Sequence, residues 1–174
     1  MLSIAAIALA AASAGSSSPL VSTASWWERV TVTYDSEGEQ RSCRYETSLS
    51  GGSPDICAAK AEEGSAVESA GGIASGRQMQ ITFERRFTPD AAPSLDALNP
   101  GDTLLGGHIM KVAIDRDGAV RGCSVVAASE EASPDYGCDE VKAERFQAST
   151  GKTERNGRFG YVTVLVYGHK EDIV

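Results

Sequence analysis

The chain has 174 residues, with 24 Asp and Glu against 16 Lys and Arg for a formal net charge of −8. That balance opposes a phosphate-backbone partner, so nucleic acid is not expected. The length suits one ordinary domain or two small ones, each near the size at which a core needs a staple.

Leu2 to Ala12 is a short run dominated by Leu, Ile and Ala, followed by Ala12-Ser13-Ala14 and a Gly/Ser/Pro stretch to Pro19. The run is too short to span a bilayer and fits the apolar region and cleavage site of a secretory signal, although no Lys or Arg precedes it. Residues 1–25 are expected to be a signal peptide and a disordered mature N-terminus. From Trp26 to Tyr34, Trp26, Val30, Val32 and Tyr34 alternate with Trp27, Arg29, Thr31 and Thr33, which is strand periodicity. Asp35-Ser-Glu-Gly38 is a turn, and Arg41, Cys43, Tyr45 and Thr47 alternate along a second strand to complete a hairpin. After a Gly/Ser loop from Leu49 to Ser53, a helix is expected from Pro54 or Asp55 to Glu63, with Ser53 as its cap. Met79, Ile81 and Phe83 then mark a third strand.

Pro89, Pro93 and Pro100 make 88–103 the expected linker between halves spanning 26–87 and 104–174. The second half repeats the plan. Met110, Val112 and Ile114 lead to an Asp115-to-Gly118 turn, a strand from Val120 to Ala127, a helix from about Pro134 to Phe146 and a final strand from Phe159 to Tyr167. In that last strand Val162, Val164 and Val166 alternate with Tyr161, Leu165 and Tyr167, so both faces are expected to meet protein. The repetition is also literal. Tyr34, Asp35, Gly38, Arg41 and Cys43 recur 80 positions later as Ile114, Asp115, Gly118, Arg121 and Cys123, and Ser53-Pro-Asp55 recurs as Ser133-Pro-Asp135. Lys60-Ala-Glu62 answers Lys142-Ala-Glu144 after a small slip of register. The expected fold is therefore α+β: two tandem β-β-α-β repeats, each a three-stranded antiparallel sheet covered by one helix, packed pseudo-symmetrically.

Each half carries one cysteine on its second strand and one at its helix start. A duplicated unit should hold its own bridge, which selects Cys43 with Cys57 and Cys123 with Cys138 from three connectivities. Paired cysteines favour an oxidising compartment, periplasmic or secreted. No cofactor and no metal site is expected: there is no Cys-x-x-Cys, and neither Asp-rich turn supplies the ligand series of an EF-hand. No catalytic motif is present either. His108 and His169 fall near strand ends in no recognisable constellation, and Gly71-Gly72 and Gly106-Gly107 are not phosphate loops. The adjacent Asp139 and Glu140 read as favourable charge near a helix N-terminus.

Met110-Lys-Val-Ala-Ile-Asp-Arg-Asp-Gly118, Val120, Val125, a helix starting near Cys138 and the pair Arg145-Phe146 resemble the TonB C-terminal domain family. The resemblance covers about 104–170 and extends more weakly, through the repeat, to 26–87. It implies a periplasmic module that binds an extended segment of an outer-membrane or envelope protein beside its terminal strand. Tyr161, Thr163, Leu165 and Tyr167 would then mark the docking edge. The chain contains neither the spanning helix nor the long Pro-rich spacer of the family's full-length transducers, so the implied role is non-catalytic binding rather than energy transduction. Two alternatives remain: a disulfide-stapled secreted hydrolase or hydrolase inhibitor presenting Leu49 to Ser53, and a self-associating envelope component that forms a homo-oligomer.

Overall fold

In the structure, a computed structural model, residues 21–50, 57, 78–95, 98–129, 134–148 and 158–171 are described. They form six strands, β1 (Trp26–Tyr34), β2 (Gln40–Thr47), β3 (Gln78–Pro89), β4 (Asp102–Ile114), β5 (Val120–Ala128) and β6 (Arg158–Glu171), with one helix, α1 (Cys138–Ala143), before β6. All six strands lie in a single sheet of order β2-β1-β3-β6-β4-β5, and every pairing is antiparallel. Among the described residues the expected pair of helix-covered three-stranded sheets is thereby corrected to one continuous six-stranded sheet with a single six-residue helix. The terminal strands of the two halves, β3 and β6, pair with each other from Gln78↔Glu171 to Pro89↔Gly160. That long central pairing extends the strands well beyond their apolar runs. It takes in Thr88 and Pro89, expected to be linker, and on the β4 side Gly106 and Gly107.

The helix expected from Pro134 to Phe146 shrinks to six residues. Tertiary pairing overrides helix propensity there. Glu144, the C-cap, is extended at φ −78° and ψ 158°, and the next residues are drawn into isolated bridges, Ala119 with Arg145 and Val21 with Phe146. Val21, expected in a disordered tail, thus holds a defined place, its N–H donating to the Arg145 carbonyl at 2.8 Å. The acidic first turn is as expected, and Glu140 accepts from the Gly137 N–H at 2.8 Å. The helix expected in the first half and the signal segment lie outside the described residues, apart from Cys57.

Both hairpin turns form, with the same detail. Asp35 Oδ1 accepts from the N–H groups of Glu37 and Glu39, each at 2.9 Å, and Oδ2 from Arg41 Nε at 2.6 Å. Asp115 does the same with Asp117 at 2.9 Å, Ala119 at 2.8 Å and Arg121 at 2.6 Å. Each arginine sits in a bulge, because Thr33↔Ser42 and Tyr34↔Gln40 leave Arg41 unopposed and Ala113↔Gly122 and Ile114↔Val120 leave Arg121 unopposed. Both expected disulfides are present, Cys43–Cys57 and Cys123–Cys138, with Cα–Cα separations of 5.5 and 5.6 Å. They mark a protein of an oxidising compartment. Among the described residues no helix is long and apolar enough to cross a membrane.

The main core lies on one face of the sheet, where Trp26, Phe87, Met110, Val112, Ile114, Val162 and Val164 meet Val141 of α1, Tyr136 and Phe146. Phe87 stacks with Trp26 at 6.2 Å and meets Phe146 at 5.1 Å. The opposite face is also closed over β6, since Thr163, Leu165 and Tyr167 are buried with Glu84 and Ile109.

Candidate functional site

A strand-adding protein needs an unpaired edge, because only there are backbone donors and acceptors free for a further strand. Tyr161, Thr163, Leu165 and Tyr167 all lie on β6, which pairs with β3 on one side and β4 on the other. The docking edge assigned to them is therefore corrected: their backbone is consumed within the chain, and Thr163 and Leu165 are buried. The physical reason lies in the duplication. Two halves that each end in a strand with an open edge satisfy those edges most fully by pairing them together.

Among the described residues the edges left open are β2 and β5, and their chemistry differs. β2 carries Arg41, Arg44 and Glu46, with Arg44 bonded to Glu46 at 3.1 Å, and charge of this kind blunts an edge. β5, with the sequence Val-Arg-Gly-Cys-Ser-Val-Val-Ala-Ala, has Arg121 as its single charge, and that is tied to Asp115. Its Val125 and Val126 are 54% and 50% exposed. Val126 is an extra residue in a second bulge, because Ile109↔Ala127 and Met110↔Val125 leave it unopposed. Just before β5, Phe146 donates to the Gly118 carbonyl at 2.8 Å and Arg145 bridges Ala119. Among the described residues the outer edge is unpaired from Arg121 onward.

On the core side this edge is walled by α1, stapled to β5 through Cys123–Cys138. A buried charged cluster anchors the far end of that helix. Arg85 of β3 donates from Nε to Glu28 at 2.6 Å and from Nη1 to Glu144, the C-cap of α1, and to the Tyr136 hydroxyl. Tyr136 in turn donates to Glu144, and Tyr45 of β2 donates to Glu28 at 2.9 Å. The guanidinium also lies 5.2 Å from the Trp26 ring centroid and 4.7 Å from that of Tyr136. Burial opposes the charge on Arg85, but Glu144, Tyr136 and Glu28 more than offset it and hold the guanidinium protonated. Burial first, then the Glu28 carboxylate, pushes Tyr45 up to about 12. This arrangement fixes α1 in place, and burial holds the Tyr136 hydroxyl protonated.

On the other face no described element covers the edge. Lys111 of β4 stands opposite Ser124 of β5 and Tyr161 of β6, and its Nζ lies 5.2 Å from the Phe159 ring centroid. Phe159, opposite Ala113, is 58% exposed. Beyond it a cleft of about 710 Å³ is lined in part by Lys111, Arg158, Phe159, Tyr161 and Asp90.

The histidines sit apart. His108, expected near a strand end, is buried within β4 with Nε2 unpartnered among the described residues, while His169 meets Asp102 at 3.1 Å. Asp35, Glu37 and Glu39 approach one another within 4.8 Å, but Asp35 spends both oxygens on its own turn. Leu49, at the start of the loop proposed for an inhibitor, packs partly buried against the core, and residues 51–53 lie outside those described. Sequence reasoning missed Lys111, Phe159 and the β5 edge. The adjacent Val125-Val126 pair, which breaks the alternation of β5, was the available signal. Comparison of the chain with protein-family models, with curated proteins and with solved structures returned no match.

Proposed function

We propose that this chain is a non-catalytic binding module of the periplasm that takes up an extended segment of an envelope protein as an added strand along β5. One observation carries the reading: among the described residues β5 is an unpaired edge, uncharged beyond Arg121, with two valines about half exposed. Main-chain hydrogen bonds would supply affinity there, and side chains on alternating faces would supply selection. The likeness of 104–170 to the TonB C-terminal domain supports a strand-adding mode, moved from the terminal strand to the remaining free edge. The two disulfides support the compartment.

The test is crosslinking in cells from a photoreactive residue at Val126, with Thr163 as the control. Capture of an envelope protein from Val126 alone is the expected result. Capture from Thr163 and not from Val126 would overturn the reading. Capture of a second copy of the chain from Val126 would establish self-association instead.

A further inference from the structure

We infer that the segment docking on β5 carries an acidic residue and an aromatic or large apolar residue two positions apart on one face, read by Lys111 and Phe159. The inference rests on the strand-addition reading and specifies its partner. Two neighbouring cross-strand rows lie on the face away from α1: Ser124, Lys111 and Tyr161 in one, Gly122, Ala113 and Phe159 in the other. Neighbouring rows on one face are two residues apart along a strand, so an added strand presents residues i and i+2 to them.

The first row selects charge. Strands lie about 4.8 Å apart, which puts the Lys111 backbone about 10 Å from an added strand, within the combined reach of a Glu and a Lys side chain over the small Ser124. No carboxylate competes for Lys111 from these strands, since β5 has no Asp or Glu and β4 has only Asp102 at its far end. Among the described residues no carboxylate lies within ion-pair distance of Lys111, though Asp90 lines the same cleft, and Nζ lies against the Phe159 ring.

The second row selects bulk. Gly122 presents no side chain, and a Cβ there would meet only the Ala113 Cβ, at 3.6 Å. The row is therefore a low floor with a ring at its end. Phe159, at 58% the most exposed large apolar residue described, borders the open cleft rather than packed protein. Phe159 stands three strand spacings, about 14 Å, from an added strand, so an aromatic side chain there would lie over Gly122 and meet the edge of a Phe159 ring leaning across Ala113, the offset contact that aromatic pairs prefer.

The experiment uses the full chain and fluorescein-labelled peptides of nine residues, the length of β5. The parent peptide has alternating Thr and Ser with one Phe and one Glu two apart; its variants replace Glu by Lys, replace Phe by Ser, or carry N-methyl groups at alternate amides in either phase. The parent should bind roughly fivefold or more tightly than the Lys peptide, and Lys111→Glu should invert that order, as exposed charge pairs of modest strength allow. Phe159→Ala should abolish the preference for Phe over Ser. Both substitutions are at exposed positions, so the fold should survive them. If the parent binds and N-methylation abolishes binding, but neither substitution alters the preferences, the inference fails while strand addition stands. If both N-methylated peptides bind as well as the parent, strand addition fails. If no peptide binds, both fall.

Discussion

Gly38 and Gly118 occupy the same place in the two copies of the turn, at φ 84° and 82°, a region where a side chain costs about 1–2 kcal/mol. Their surroundings differ. A Cβ on Gly38 would meet nothing within 4 Å, whereas one on Gly118 would lie 1.9 Å from the Phe146 carbonyl oxygen. Gly118→Ala should therefore destabilise clearly more than Gly38→Ala in urea unfolding, and equal losses would contradict the packing of Phe146 against the turn. Arg85→Ala would leave the Glu28 and Glu144 carboxylates, 18% and 20% exposed, without their shared cation, at a cost of about 3 kcal/mol for breaking such a pair. Burial, partly offset by the Tyr136 carbonyl, lowers the pKa of His108 from its ordinary 6.5. The unfolded chain then binds the proton first, so stability is full above about pH 6.5 and declines as pH falls below it. His108→Phe should flatten that decline in a stability–pH profile. Local chemistry made the Asp turns readable, because every bond in them spans six residues or fewer. The Arg85 cluster was not readable, since its partners stand 51, 57 and 59 positions away.

At the scale of elements, each disulfide closes a loop of 14 or 15 residues, and the chain-entropy model assigns about 3 kcal/mol to such a closure. Replacing Cys123 and Cys138 by Ser should lower stability by that order and free α1 from β5, read as faster amide exchange in 138–143. Unchanged exchange there would mean that the Arg85 cluster alone holds the helix. The strands were legible from periodicity, and β6 was correctly expected to meet protein on both faces, as burial of Val162, Thr163, Val164 and Leu165 bears out. Facial burial says nothing about edges, however. Whether a strand is interior depends on which partner takes its backbone, and no periodicity in Phe159 to Tyr167 encodes the choice of β3. The helix of the second half was overextended for a related reason: Glu144 to Phe146 have a helical pattern but find better partners at Gly118, Ala119 and Val21.

For the whole molecule, the pairing of β3 with β6 sets what is closed and what is left open among the described residues. Two three-strand units with equivalent hairpins join through β3 and β6 into one sheet, which removes two edges and leaves β2 and β5. One of these is charged and the other is apolar, so an internally symmetric plan acquires a polarity that the repeat alone does not contain. The second half expressed alone, from 102 to 174, would expose the β6 edge and should form concentration-dependent dimers in sedimentation; a monomer at all concentrations would contradict the role of that edge. The most direct measurement is native-state amide exchange on the intact chain, followed residue by residue across β5 and β6. Amides of Val162 to Tyr167 should exchange only with global unfolding, while the outward-facing amides between Arg121 and Ala128 exchange fast. Rapid exchange along one side of β6, with β5 fully protected, would return the free edge to the terminal strand and contradict the architecture on which the binding proposal stands.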